Sequence, residues 1–324
     1  MTTVTTRAHP NIAFIKYWGN QDEELRLPAN PSLSMNLDSL YTETSLSWGA
    51  GPCDVLILNG QRTEGAALQR LSQHLDQLRT RLGIKDYAYV ESINTFPTGA
   101  GIASSASAFA ALTLAATQAA GLSLDERELS TLARLGSGSA SRSVPSGFVE
   151  WHVGNTHEDS FAETFVERNH WTLVDVVAVI SGEHKAVTSR AGHISAGTSD
   201  LQAARVQGAV SRLQMVKQSI LDRDFRQFAE VVELDSNLMH AVMMTSKPPL
   251  FYWHPASLAL MQQVRAWRSE GINVCYTLDA GPNVHCICTE DSLGPLMERL
   301  ALLDSVQETF VARPGAGAEI INVV

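Results

Sequence analysis

The residues best suited to chemistry fall in a few short stretches of this chain. The first is Asn94–Ala108, which reads Asn-Thr-Phe-Pro-Thr-Gly-Ala-Gly-Ile-Ala-Ser-Ser-Ala-Ser-Ala. Pro97, Gly99 and Gly101 break a regular strand and allow a tight loop. Ser104 and Ser105 then lead into Ala106–Gln118, an Ala-rich run with the composition of a buried helix. A loop feeding a helix N-terminus gathers free backbone N–H groups and partial positive charge at one spot, which suits a phosphate. The serine hydroxyls add contacts to phosphate or to Mg²⁺. No Lys follows, so this is not the Gly-x-x-x-x-Gly-Lys loop. An Ala/Gly-rich helix packed closely on a sheet would have the same composition, and here the two readings stand even.

A second small-residue turn, Gly136-Ser137-Gly138-Ser139-Ala140-Ser141-Arg142-Ser143, carries an arginine. Free N–H groups and hydroxyls can cradle an oxyanion, and a guanidinium binds carboxylate or phosphate through two parallel bonds. The alternative is a flexible solvent loop, which a second such turn in one chain makes less apt. Asn11, Lys16 and Tyr17 stand among strand-forming residues in His9–Asn20, odd company for a purely structural strand. Thr188-Ser189-Arg190 offers another anion contact, although a solvated arginine explains it more simply. Asp279 closes a strand beside Ala280-Gly281-Pro282-Asn283, a place for a catalytic carboxylate or for an ordinary turn-forming Asp. Two phosphate-type loops with Lys16, Arg142 and Asp279 suit phosphoryl transfer, where positioning and charge neutralisation dominate. No Ser-His-Asp framework, zinc signature or dinucleotide fingerprint accompanies them. The residues alone therefore point to an ATP-using enzyme acting on a small anion.

The elements that must position these groups are legible in outline. A chain of 324 residues predicts two domains, with a boundary in the polar, aperiodic stretch Gly154–His170. We expect an N-terminal domain over 1–170 and a C-terminal domain over 171–324 carrying Asp279. Tyr41–Trp48 alternates as a strand, with Asp54–Leu58 as its expected hairpin partner. Leu68, Leu71, Leu75, Leu78 and Leu82 mark an amphipathic helix. Ser123–Glu126 has the spacing of a capping box opening a helix to Leu135. Strands follow at Phe148–Val153, Leu173–Ile180, Val274–Leu278 and Val284–Cys288. Long helices are expected over Leu201–Ile220, Asp224–Met244 and Ser257–Glu270. The formal charge of −10 without a basic run argues against a nucleic-acid partner. Met1–Arg7 is polar and no run is apolar enough for a membrane span, so we expect a cytoplasmic protein. The four cysteines, Cys53, Cys275, Cys286 and Cys288, read as buried free thiols rather than a metal site.

Four blocks in order carry a family resemblance. Pro97-x-x-x-Gly101-Ile102-x-Ser104-Ser105-Ala106 resembles the ATP loop of the galacto-, homoserine, mevalonate and phosphomevalonate kinase superfamily. Asn11-Ile12-Ala13-x-x-Lys16-Tyr17-Trp18-Gly19, the Gly136–Ser143 turn and Asp279–Asn283 narrow it to the mevalonate diphosphate decarboxylases and their relatives. The resemblance implies an α+β fold of two halves with a deep cleft between them. It implies ATP over Pro97, Gly99, Ala100, Gly101, Ala103, Ser104 and Ser105, with Mg²⁺ at Ser105. It implies a phosphorylated mevalonate against Asn11, Tyr17, Asn20, Ser137, Gly138, Ser139, Arg142, Ser189 and Arg190. In this family ATP phosphorylates the substrate's tertiary hydroxyl, and phosphate then departs as CO₂ is lost. Arg142 would hold the carboxylate, Asp279 would orient the hydroxyl and accept its proton, and Lys16 would pair with Asp279. A homodimer is also implied.

Residue 20 departs from the pattern. In the diphosphate enzymes the Lys-Tyr-Trp-Gly block is usually followed by another lysine, one of the contacts to the terminal phosphate; here it is Asn20. A lost cation in an anion pocket should weaken the more highly charged substrate. The reading favoured on that ground is mevalonate 5-phosphate giving isopentenyl phosphate, with mevalonate 5-diphosphate as the alternative. A mevalonate kinase without decarboxylation and a non-catalytic binder are more remote, because Lys16, Arg142 and Asp279 are all retained.

Overall fold

The structure is a computed structural model that describes residues 2–49, 51–96, 104–182 and 187–324. Its strands in the first part are β1 (Thr3–Ala8), β2 (Asn11–Ile15), β3 (Asn20–Asp22), β4 (Leu27–Pro28), β5 (Ser32–Asn36) and β6 (Thr42–Trp48). They continue with β7 (Val55–Leu58), β8 (Gln61–Arg62), β9 (Ala88–Asn94), β10 (Phe148–Trp151) and β11 (Ala162–Val166). Helices α1 (Ala66–Leu82), α2 (Ser104–Ala119) and α3 (Glu126–Gly136) lie among them. The second part holds β12 (Leu173–Val179), α4 (Ser189–Ser195), α5 (Gln202–Asp222), α6 (Phe225–Thr245) and α7 (Pro255–Ser269). It closes with β13 (Val274–Thr277), β14 (Val284–Thr289), α8 (Leu293–Leu300), β15 (Glu308–Ala312) and β16 (Glu319–Val323).

These strands build three larger sheets. The first runs β16-β1-β6-β9-β7-β8. β6 and β9 bury alternate residues, so one sheet face presents Leu46, Trp48, Ala88 and Val90 to α1, α2 and α3 while the other meets water. α2 is apolar nearly all round because it packs on β1 and β6 below and on α3 beside it. The second sheet, β11-β10-β5-β2, is buried through β2, β5 and β10. The third, β13-β14-β12-β15, is covered on one side by α7 and α8 and on the other by the α5–α6 pair. α5 ends at Arg223 in the left-handed conformation, and Asp224 caps α6, so the two helices fold back as a hairpin. One core joins Ile12, Phe14 and Phe148 to Val216 and Phe228 of α5–α6 and to Cys275 and Ile287 of the third sheet. The α+β architecture expected from the sequence is what the chain adopts.

Several local expectations are corrected. β7 does not pair with β6; it runs parallel to β9, which lies between them. The seven-residue β6–β9 ladder satisfies more backbone than the four-residue β7 can, so β7 is pushed outboard. The capping box opening α3 is Asp125 with Glu128, two residues later than Ser123–Glu126. The stretch 154–170 contains β11, paired with β10. The final strand, β16, pairs with β1 and so returns the C-terminus to the first sheet. Cys53 is exposed, whereas Cys275, Cys286 and Cys288 are buried free thiols whose burial pushes them above the usual thiol range.

Candidate active site

Lys16 follows the last residue of β2, and its backbone is fixed by the far half of the chain. Its N–H donates to Asp235 of α6 at 2.6 Å, and Arg212 of α5 holds the same carboxylate at 2.6 Å. Arg205 of α5 donates to the Lys16 and Trp18 carbonyls and to Asn30. These groups are buried, and each charge among them has hydrogen-bonded partners, the condition for tolerating burial. The Lys16 side chain, 1% exposed, then reaches Asp279 with Nζ 2.7 Å from Oδ1.

Asp279 stands at the turn from β13 to β14. Leu278 N–H donates to Ser236 Oγ, and Asn283 Oδ1 accepts from Ile180 and Ser181, so both flanks of the turn are tied down. Desolvation in the cleft opposes ionisation of Asp279. The Lys16 ammonium, with His285 and Arg142 nearby, outweighs it and holds the carboxyl below its usual range.

Arg142 is the penultimate residue of a 3₁₀ turn, Gly138–Ser143, that follows α3. Its Nε and Nη2 both donate to Asn11 Oδ1, and Nη1 donates to Ser32 Oγ at 2.8 Å. Asn11 is in turn anchored through Nδ2 to Ser139 O and Ser143 Oγ. The guanidinium is nearly buried and faces a neutral amide and a hydroxyl; burial lowers it to about 10, well inside the range where it stays charged. Among the described residues it is a pre-set cationic fork without a bonded carboxylate of its own.

Tyr17 packs edge-on against Trp151 and stacks on His193, 4.2 Å between centroids. Its phenol, pushed up by burial, stays protonated and donates to Asn20 Oδ1 at 2.5 Å. A Cβ at Gly138 would meet the Tyr17 hydroxyl at 2.5 Å, so only glycine lets this turn approach so closely. Gly19 N–H donates to His193 Nδ1 at 3.0 Å, which fixes that nitrogen as the acceptor. Ser104 and Ser105 sit in the first turn of α2, and hydroxyls run on from Ser105 to Ser137 and from Ser137 to Ser139.

All of these line one cleft of about 480 Å³. It gathers Asn11, Lys16, Tyr17, Asn20, Ser104, Ser105, Ser137, Gly138, Ser139, Arg142, Ser189, Arg190 and Asp279, every sequence-derived candidate among the described residues. Pro97, Gly99, Ala100, Gly101 and Ala103 lie outside the described residues. Ser189 and Arg190 belong not to a loop but to the first turn of α4, capped by Thr188. Sequence reasoning missed Arg26, Arg70 and His193, which line the same cleft. Arg70 lies on α1, whose leucine spacing had marked it merely as amphipathic, and Arg26 lies in the β3–β4 turn. Neither position carries a local signal of function.

Comparison with known proteins finds relatives along nearly the whole chain. A family model described as the diphosphomevalonate decarboxylase-like N-terminal domain matches residues 8–162. One described as the mevalonate 5-diphosphate decarboxylase C-terminal domain matches residues 175–314. The diphosphomevalonate decarboxylase of Candida albicans is 39% identical over 301 residues, spanning 87% of this chain and 83% of that protein. The crystal structure of mevalonate diphosphate decarboxylase from Staphylococcus aureus superposes with a TM-score of 0.94 at 38% identity, covering 99% of each chain. A solved complex of MDDEF with MVAPP, AMPPCP and magnesium superposes equally well, with a TM-score of 0.94, 38% identity and 99% of each chain covered. With both halves matched in order and nearly every residue superposed, the chain belongs to the diphosphomevalonate decarboxylase family.

Proposed function

We propose that the protein catalyses ATP-dependent decarboxylation of mevalonate 5-diphosphate to isopentenyl diphosphate. The observation that carries the reading is the Lys16–Asp279 pair at 2.7 Å facing Arg142 inside one cleft. Arg142, held by Asn11 and Ser32, would bind the substrate carboxylate and keep it oriented while the C–C bond to CO₂ breaks. Asp279, kept ionised by Lys16, would align the tertiary hydroxyl and take its proton. Lys16 would also offset negative charge gathering on the transferring phosphoryl group.

The residues present fit ATP and Mg²⁺. α2 is a sixteen-residue helix with Ser104 and Ser105 and no acidic residue in its first turn, so its N-terminus favours phosphate. Among the described residues no cluster of three His, Cys, Asp or Glu could hold a metal ion, so Mg²⁺ would rest chiefly on nucleotide phosphates with Ser105 beside it. ATP supplies the phosphoryl group that turns the tertiary hydroxyl into a leaving group. The complex of a relative with AMPPCP and magnesium supports this pairing.

On the phosphate count, the monophosphate reading drawn from Asn20 has less support than the diphosphate. Asn20 is engaged by Tyr17 and Glu23, and the cleft holds Arg26, Arg70 and Arg190 besides. The relatives that share the fold are named for the diphosphate. The test is ADP release with Mg²⁺-ATP, run in parallel on mevalonate 5-phosphate and 5-diphosphate with CO₂ captured. A higher kcat/KM on the diphosphate, with one CO₂ per ADP, is expected. A preference for the monophosphate would reverse the assignment, and ADP without CO₂ would make the protein a kinase.

A further inference from the structure

Beside the substrate-facing wall, the cleft continues into a recess of about 160 Å³ between α1 and the β3–β4 turn. Arg26, Arg70 and Arg190 line both spaces. Among the described residues none of the three forms an ion pair, although elsewhere on this protein arginines are commonly paired, as in Arg7–Glu43, Arg268–Glu233 and Arg313–Glu290. Arg70 Nε is buried and has no hydrogen-bond partner; Nη2 meets only the Gly136 carbonyl, at 3.4 Å, and the guanidinium lies over Phe109. Burial and the neighbouring arginines lower Arg26, and lower Arg70 to about 10. The carboxylates of the recess answer this charge only in part, Glu23 opposing the lowering of Arg26 without reversing it. Glu23 and Glu24 are solvent-exposed, and Glu23 accepts from Asn20 rather than from an arginine. Three arginines, one of them solvent-exposed, around a recess whose carboxylates pair with none of them leave a local excess of positive charge that an anion would relieve.

Arg26 is held there by the turn itself. Leu25 N–H donates to Asp22, and Leu25 O accepts from Arg134, a fully buried arginine of α3. Arg26 then takes the left-handed conformation, φ 51°, a strained choice for a side-chain-bearing residue that this pinned hairpin enforces. The turn ends on β4, which pairs with the strand opened by Asn20, so residue 20 opens one arm of the hairpin and residue 26 closes the turn that leads into the other.

We propose that Arg26, backed by Arg70, supplies from the turn of the β3–β4 hairpin the cation that Asn20 does not, and holds the substrate's terminal phosphate. Arg26 is thereby the specificity-determining residue for the number of phosphates. The inference rests on the diphosphate reading above and assigns it to a side chain.

The experiment compares wild type, Arg26→Gln, Arg26→Lys and the double variant Asn20→Lys/Arg26→Gln on both substrates, with ATP held saturating and each fold checked by thermal melting. Loss of one charge-assisted contact predicts a rise in KM for the diphosphate of roughly 10- to 100-fold in Arg26→Gln. KM for the monophosphate and kcat on either substrate should stay within about threefold, because a lost ground-state contact acts on KM alone. Arg26→Lys should keep most of the diphosphate affinity, and the double variant should regain at least about tenfold over Arg26→Gln if position 20 and position 26 serve the same phosphate. Equal losses on both substrates, an unchanged KM, or no recovery in the double variant would overturn the role given to Arg26. Wild type that turns over only the monophosphate would overturn the diphosphate reading and this inference together. Diphosphate turnover indifferent to Arg26 would overturn this inference alone.

Discussion

Changing Asp279 to Asn keeps the shape of the side chain but leaves the Lys16 ammonium, 1% exposed, facing an amide. At the observed N–O separation of 2.7 Å, Coulomb's law gives roughly 1.5 kcal/mol in a water-like medium and roughly 6 kcal/mol at an effective dielectric of about 20. Lys16 is sealed from solvent while Asp279 is 30% exposed, so the coupling should fall between these limits, at about 2–4 kcal/mol. Lys16→Met should cost less than Asp279→Asn, because the stranded carboxylate still reaches water and retains Arg142 nearby. The double variant strands no charge and should recover much of the summed loss. Urea unfolding of the four proteins gives the coupling directly. Turnover should behave differently. Asp279→Asn removes the proton acceptor and should lower kcat by about 10³-fold or more, with binding of a fluorescent ATP analogue within about threefold because the α2 serines are untouched. The double variant should regain stability and stay inactive. A coupling under about 0.5 kcal/mol, the level of an exposed pair, or Asp279→Asn turnover within tenfold of wild type would refute the reasoning.

Two further outcomes follow from the geometry. Asn11→Ala deletes the acceptor of two Arg142 N–H bonds and leaves the guanidinium free to swing. It should lower kcat/KM for the mevalonate substrate by about 10- to 100-fold, as losses of orienting partners do, with the KM for ATP unchanged; an equal loss for both substrates would instead indicate a collapsed cleft. Acid stability tests the buried histidines. His74 Nε2 must donate to Thr113, whose hydroxyl is spent on Phe109 O, and its Nδ1 is buried without a partner. Burial lowers His74 and His240 alike to about 3. A lowered folded value means that the unfolded chain binds protons first, so stability is full above the unfolded value near 6.5 and falls as pH drops towards 3. At pH 5 each histidine should cost roughly 2 kcal/mol relative to pH 7.5, and a flat unfolding free energy between these pH values would contradict both.

The parts of the site that sequence makes legible are those whose residue types are unusual for their local structure. Glycine and serine runs before a helix, a lysine closing an apolar strand and an aspartate at a Gly-Pro turn each stand out against the element that carries them. Arg70 does not, because an arginine on the polar side of a helix is what water alone would select; its meaning comes from Arg26 and Arg190 arriving from other elements. The same limit misplaced β7, since no pattern in Asp54–Leu58 records that β9 will come between it and β6. The capping box slipped by two residues because Ser123–Glu126 and Asp125–Glu128 satisfy the same spacing, and only the helix start chooses between them.

The least legible feature is the one on which the chemistry depends most. Helical periodicity marks α5 and α6, yet carries no sign of what Arg205, Arg212 and Asp235 do. In the folded protein they are buried, and they grip the backbone of Lys16 and Trp18 from the opposite half of the chain. Asp279 is fixed independently, through Ser236 of α6 and the Asn283 bonds to the end of β12. Helix α6 nevertheless touches both sides of the pair, holding the Lys16 N–H through Asp235 and the Leu278 N–H beside Asp279 through Ser236 one residue later. Buried polar groups of this kind stabilise little for their cost; here they hold in register, from α5, α6 and the end of β12, an ion pair whose members lie far apart in sequence.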